Sequence, residues 1–327
     1  LVSGVAGLVY EVTWTRRFAL LFGTSELATA AVLAAYLGGL GAGAAAAGRL
    51  LPRVRRPLRA YALVELGIAA WALSIPLWVN LSRHLVVAIL GFRDLPPQSG
   101  GATTALIYVV CCFATLLVPT GLMGATLPLL VRHTVTRESQ IGSRVGALYA
   151  VNTVGAVIGA LATAYLLMPA LGLGLTTFVA VGLNLFAGVG AALLARGEQP
   201  PAWDGARESA AGSRTVWSPI LILVGLSSAV SFTYEVLWTR LLSHLLGSSV
   251  YAFATMLASF LAGIAVGSGV ASRLATTRRG SLTGFAVAQV GAGVLVEVDL
   301  GVDAQGSIEL DDPQEPRAVD LLDRQLE

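Results

Sequence analysis

Lysine is absent from this chain: all 21 basic residues are arginine, the codon usage of a GC-rich bacterial genome. Charge of either sign is scarce, at 12% of 327 residues, where a soluble domain carries about a quarter. A soluble core would have almost no polar surface to cover it, so a soluble globular fold is excluded. Cysteine is limited to Cys111 and Cys112, adjacent in an apolar run. Neighbours on a helix diverge, so they form no disulfide framework, and two ligands make no zinc site. The three histidines, His84, His133 and His244, cluster with no acid or cysteine along the sequence and read as interfacial residues. No nucleophile elbow or phosphate loop appears. No catalytic residue, metal, cofactor or nucleic-acid partner is therefore expected.

What is present is apolar sequence: 55% of the residues, with a mean hydropathy of +0.75. Runs of 18 or more apolar residues recur, each able to cross about 30 Å of hydrocarbon. Helices are expected at 2–22, 27–50, 60–81, 103–131, 145–167, 174–195, 218–245, 250–274 and 281–296, with Gly23, Pro52, Pro57, Pro169 and Pro219 marking ends. The fourth exceeds one straight span, and a kink is expected at Pro119 and Gly121. The short apolar stretch 85–92 suits the interface. Loops 49–59, 132–144, 196–217 and 273–280 hold 14 arginines, and the alternate loops hold two. That positive-inside bias places the N-terminus in the cytoplasm of a bacterial inner-membrane protein.

The strongest pattern is internal. Residues 3–50 written over 227–274, a constant shift of 224, match at 20 of 48 positions. Tyr10/Tyr234, Glu11/Glu235, Trp14/Trp238, Thr15/Thr239 and Arg16/Arg240 head the identities. Six helices separate the copies, so both share one orientation, a parallel repeat. The expected organisation is a six-helix first repeat at 1–195, a linker at 196–217, a truncated second repeat of about three helices at 218–296 and an acidic tail at 297–327. Residues 1–296 hold 19 arginines and nine acids; the tail holds two and ten. The tail supplies no helices 10–12, and the chain opens inside an apolar helix, so lost ends are expected on both sides.

Charges within a membrane helix need a reason. Glu11, Arg16, Glu235 and Arg240 are candidates, paired across the repeat as Glu11 with Arg240 and Glu235 with Arg16. Such pairs would either gate a polar cavity or fix helix register. Glu65, whose repeat equivalent is Gln289, and Asn152 are further intramembrane polar candidates. Tyr10, Trp14, Tyr234 and Trp238 are the motif aromatics. Gly39/Gly43, Gly155/Gly159 and Gly263/Gly267, each pair four apart, are expected packing seams.

Three strings carry a resemblance: Ser3–Arg16 (SGVAGLVYEVTWTR), Pro119–Pro128 (PTGLMGATLP), and Arg144–Gly159 (RVGALYAVNTVGAVIG) with Pro169–Gly172 (PALG). They resemble the fused major-facilitator/spermidine-synthase-like membrane proteins of bacteria over about residues 1–295. The resemblance implies an all-α, major-facilitator-like duplicated bundle in the lipid bilayer. It also implies a partner domain, in cis or in trans, related to aminopropyltransferases and binding decarboxylated S-adenosylmethionine and a polyamine. No triple-glycine loop or strand–helix alternation is present, so none of that domain's catalytic residues maps onto this chain. Major facilitators also carry an acid among the basic residues after helix 2, and none lies between 44 and 60. Two functions follow: a membrane module anchoring or feeding a catalytic domain, or a stand-alone transporter of a small solute such as a polyamine.

Overall fold

The computed structural model describes residues 1–23, 26–90, 102–137, 141–198, 219–246, 249–274 and 283–295. Most of the linker and all of the acidic tail lie outside them. The described chain is all helical: α1 Val2–Phe22, α2 Glu26–Leu50, α3 Pro57–Leu90, α4 Ala102–Thr134, α5 Ile141–Ala162, α6 Met168–Leu194, α7 Pro219–Leu246, α8 Ser249–Leu274 and α9 Thr283–Leu295. Two compact units divide it, Leu1–Val266 and Gly267–Glu327. In the second, every described residue of α9 is exposed.

Five segments are long and apolar enough to cross a membrane: Leu27–Arg53, Pro57–Ile89, Ala102–Thr134, Arg144–Gly197 and Val250–Val270. Their outward side chains are large and apolar, with Leu63, Leu77 and Phe186 about 70% exposed. Water would not tolerate that belt, but lipid does. The protein is a multi-pass helical bundle.

Helix α1, which carries the Tyr-Glu-Val-x-Trp-Thr-Arg string, is not among those five, and its central residues are the most enclosed in the bundle. Ala6, Val9, Tyr10, Trp14 and Phe18 have no exposed surface. Packed on α5 and α6 and touching α2 and α3, it can hold an acid away from lipid. Aromatic rings run along it: Tyr10 stacks on Trp14 at 4.8 Å, and Phe22 stacks on Tyr108 of α4 at 4.2 Å. Cys111 and Cys112 sit in the same core as small apolar residues.

The closest seams are built from glycine. A Cβ on Gly43 would stand 1.8 Å from the Gly121 carbonyl oxygen, and one on Gly39 would strike Thr120. Gly155 and Gly159 press on the carbonyls of Leu1 and Val5 in the same way. Two expected seams therefore exist, α2 on α4 and α5 on α1. At the third pair, a Cβ on Gly263 or Gly267 meets no atom of the described residues. Their repeat equivalents seat against α4, and no described helix takes that place beside α8.

One element boundary departs from expectation. Helix α3 does not stop at 81 but runs through Pro76 to Leu90, taking in most of the stretch assigned to the interface. Proline within a membrane helix is tolerated where neighbours satisfy the freed carbonyl. Helix α4 is continuous through Pro119 and Pro128. The break expected over 168–173 is present: α5 passes through a π turn at Thr163–Leu167, and the helical angles fail at one residue near the start of α6, Gly172, with φ 72° and ψ 174°. Only glycine adopts that conformation without strain. Gly172→Ala should cost about 2 kcal/mol, read as a lowered unfolding midpoint in detergent, whereas Gly174→Ala, with open space around it, should cost little.

On the arginine-rich side, Glu198 binds the first turn of α3. Its carboxylate accepts from the backbone N–H of Leu58 at 2.8 Å and of Arg59 at 3.2 Å, and His133 Nδ1 lies 3.2 Å away. An anion belongs at that positive helix end. His133 therefore does meet an acid, one 65 residues along the chain. Glu198→Ala should lower stability by about 1 kcal/mol, as for other lost helix caps. Thermal unfolding compared with Glu198→Gln would show it, the amide keeping the size and an acceptor oxygen.

Candidate functional site

A cavity of about 320 Å³ opens in the first unit, walled by α1, α2, α4, α5, α7 and α8. That volume lies within the range of small-molecule sites. Most of the wall is apolar. Two carboxyls break it, Glu11 of α1 and Glu235 of α7, each 4% exposed.

The hydroxyls around them are largely committed. Tyr36 Oη donates to the Gly7 carbonyl at 2.9 Å. Thr126 and Thr153 donate back to Met123 and Tyr149 of their own helices. Glu235 Oε1 is buried with no hydrogen-bond partner. The two acids are close enough for their charges to interact. Among the described residues, no arginine or histidine lines this cavity. An opening with two buried acids and no base among its described lining residues suits a cation, because a buried carboxylate oxygen without a partner is costly.

The arginines of the repeated string lie elsewhere. Arg16 lines a separate pocket of about 50 Å³ with Thr15, Thr29, Thr239 and Phe253. The Arg240 side chain is exposed. The structure thus brings together the acids of the two copies in one cavity wall, with Arg16 lining another pocket. Five positions separate acid from arginine, about 500° of helical turn, so the two side chains leave opposite sides of each helix.

Asn152 also lines the cavity, half-buried, and its backbone carbonyl lies against Gly4. Tyr10 and Trp14 stand behind it in the core. Their equivalents Tyr234 and Trp238 are half-buried, Trp238 packing against Phe253 and Leu257. Glu65 is not in the cavity wall. It is fully buried in α3 and accepts a hydrogen bond from Asn184 of α6.

The wall holds residues that sequence reasoning passed over. Tyr36 and Phe260, Leu37 and Leu261, and Leu40 and Ile264 all line it, and each pair is related by the same shift of 224 as Glu11 and Glu235. The repeat register was the available signal: extending it from identities to equivalent positions selects these pairs. Asn184 was detectable as a lone amide in an apolar run.

No protein-family model matches the chain, and no solved structure does. Curated proteins do. A polyamine aminopropyltransferase of Mycobacterium tuberculosis is 33% identical over 173 residues, covering 51% of this chain and 29% of that protein. Polyamine aminopropyltransferase 1 of Streptomyces coelicolor is 30% identical over 189 residues, 58% of this chain and 32% of its own length. A polyamine aminopropyltransferase of Corynebacterium efficiens is 29% identical over 204 residues, 59% and 34%. The chain thus spans about a third of the length of the curated relatives it matches. It is a distant, partial homologue of polyamine aminopropyltransferases, folded as a membrane-embedded helical bundle.

Proposed function

We propose that this chain is the inner-membrane module of a polyamine aminopropyltransferase-related protein, anchoring a catalytic domain supplied in cis or in trans and feeding it through the Glu11–Glu235 cavity. The observation that carries the reading is the cavity wall. Four pairs of positions related by the sequence repeat meet there, and the one acidic pair faces the opening from both copies. Binding at the meeting of two repeats is the arrangement of duplicated membrane carriers. On this reading the bundle is a parallel duplication of major-facilitator type, with six helices of one copy and three of the next. The Arg144–Gly197 segment, 54 residues broken at Gly172, supplies two of the crossings, and the N-terminus is cytoplasmic.

The solute class follows from the wall. Two carboxyls with no base accept a compact organic cation, and long apolar walls accept the methylene chain between amines. The relatives' names, polyamine aminopropyltransferase, supply the chemistry such a solute would enter. The test is equilibrium binding of radiolabelled spermidine to the purified chain in nanodiscs. Saturable binding displaced by putrescine is expected; a linear, non-displaceable signal overturns the amine cavity. The repeat-built wall equally favours a second reading, a carrier acting alone. Spermidine counterflow into proteoliposomes holding only this chain separates the two, since an anchoring and feeding module without its enzyme shows binding but no counterflow.

A further inference from the structure

The cavity runs along α1, and its polar groups lie at three levels of that helix. Positions 3, 4, 7, 8 and 11 all line it, one helical face over two turns. Glu11 marks the first level, with Glu235 of α7 close enough for the two charges to interact. Tyr36 of α2 marks the second, its hydroxyl donating to the Gly7 carbonyl at 2.9 Å. Asn152 of α5 marks the third: a Cβ on Gly4 would stand 2.9 Å from Asn152 Oδ1. With a rise of 1.5 Å per residue, Gly7 lies about 6 Å and Gly4 about 10 Å from Glu11 along the axis. The rest of the wall is mainly apolar, with Leu8 between the first two levels and Met123 sulfur 3.6 Å from Tyr36 Oη.

Each level offers an ammonium group a different acceptor. The carboxyls supply charge. Tyr36 Oη has given its proton to Gly7 and keeps its lone pairs, so towards a ligand it accepts. The Asn152 amide accepts through its oxygen. The spacing of the levels then selects length. With bonds of about 1.5 Å, four methylenes hold two nitrogens about 6 Å apart and three hold them about 5 Å apart. A four-carbon diamine therefore reaches from the acids to Tyr36 and stops there. A triamine with a further three-carbon arm extends about 11 Å between its end nitrogens and reaches Asn152.

We infer that the cavity measures the length of a linear amine, and that Asn152 is the contact that distinguishes a triamine from a diamine. The inference rests on the amine reading of the cavity and specifies it. Aminopropyl transfer lengthens an amine by one three-carbon arm, so a cavity of this depth tells the amine before transfer from the amine after it. Asn152, singled out in the sequence as a polar residue in an apolar helix, thereby has a role that packing alone does not give it.

The test is equilibrium binding of radiolabelled spermidine and of radiolabelled putrescine to the full chain and its variants in nanodiscs. Spermidine carries more charge and should bind more tightly on that ground alone, so the diagnostic is its dependence on Asn152. Asn152→Ala should weaken spermidine about tenfold, the effect of one hydrogen bond to a charged group, and leave putrescine within about twofold. Asn152→Asp, of the same shape, should strengthen spermidine by about the same factor with putrescine unchanged. Tyr36→Phe should weaken both amines. Should Asn152→Ala fail to fold, Asn152→Asp reads the same dependence. Equal losses of both amines in Asn152→Ala would overturn the inference, as would spermidine binding unchanged in both Asn152 variants; in either case the amine cavity stands. Linear, non-displaceable signals from both amines would remove the amine reading itself, and this inference with it.

Discussion

Replacing Gly43 with valine should abolish accumulation of the folded bundle. Even a bare Cβ at that position would stand 1.8 Å from a backbone oxygen and 2.5 Å from the carbon it is bonded to, both in Gly121. Backbone cannot rotate away as a side chain can, so α2 and α4 would have to separate along their shared length. Overpacking a well-filled seam costs about 1–3 kcal/mol where side chains can adjust, and a backbone clash exceeds that. Gly43→Ala should already lower the unfolding midpoint strongly. Gly48→Ala, on the same helix with open space, should be close to neutral. The check is the yield of monodisperse protein by fluorescence-detected size exclusion for the three variants side by side. A Gly43→Val chain that runs and melts like the parent would mean that α2 and α4 do not touch at this point.

The second large effect concerns the cavity. Glu11→Gln and Glu235→Gln should each weaken spermidine binding about 100-fold. Removing one member of a buried charge–charge contact costs about 2–5 kcal/mol. The double variant should lose measurable binding. The substitutions keep size and shape, so folding should survive; indeed the amide relieves the repulsion of two enclosed acids. Unchanged or raised midpoints alongside lost binding would separate a ligand role from a packing role. Arg16→Gln, in its own pocket, should leave amine affinity within about threefold. Lost affinity there, with the acids dispensable, would reassign the binding determinant to the Arg16 pocket.

Much of the bundle was legible in the sequence because lipid imposes a simple rule: a spanning segment must be long, apolar and helical. Nine helices were expected, and the described residues form nine. The errors fell where the rule is silent. The apolar stretch after 81 is too short to span alone and reads as interfacial, whereas it continues α3 nine residues past the expected end. The break expected over 168–173 is present, and Gly172 is the residue that carries it. Of the site, the acids Glu11 and Glu235 were legible because they repeat, but their partners were not. Spacing along one helix says which residues share its face; it does not say which face meets which neighbour. No described residue meets the Gly263/Gly267 pair, since a small-residue pattern permits a contact without supplying the helix that makes it.

The hydroxyl bonds described along the helices have a mechanical consequence. Thr115, Thr120, Thr163, Thr176 and Thr239 each donate to the carbonyl four residues back in their own helix. Polar ties between helices are few by comparison, such as Tyr36 to Gly7, Trp71 to Thr115 and Tyr165 to Thr255. These hydroxyls are spent within their own helices, so the contacts with neighbours are mainly apolar and glycine-smooth. Shear between packed helices breaks few bonds in such an assembly. The compliance lies in the gaps between the helices.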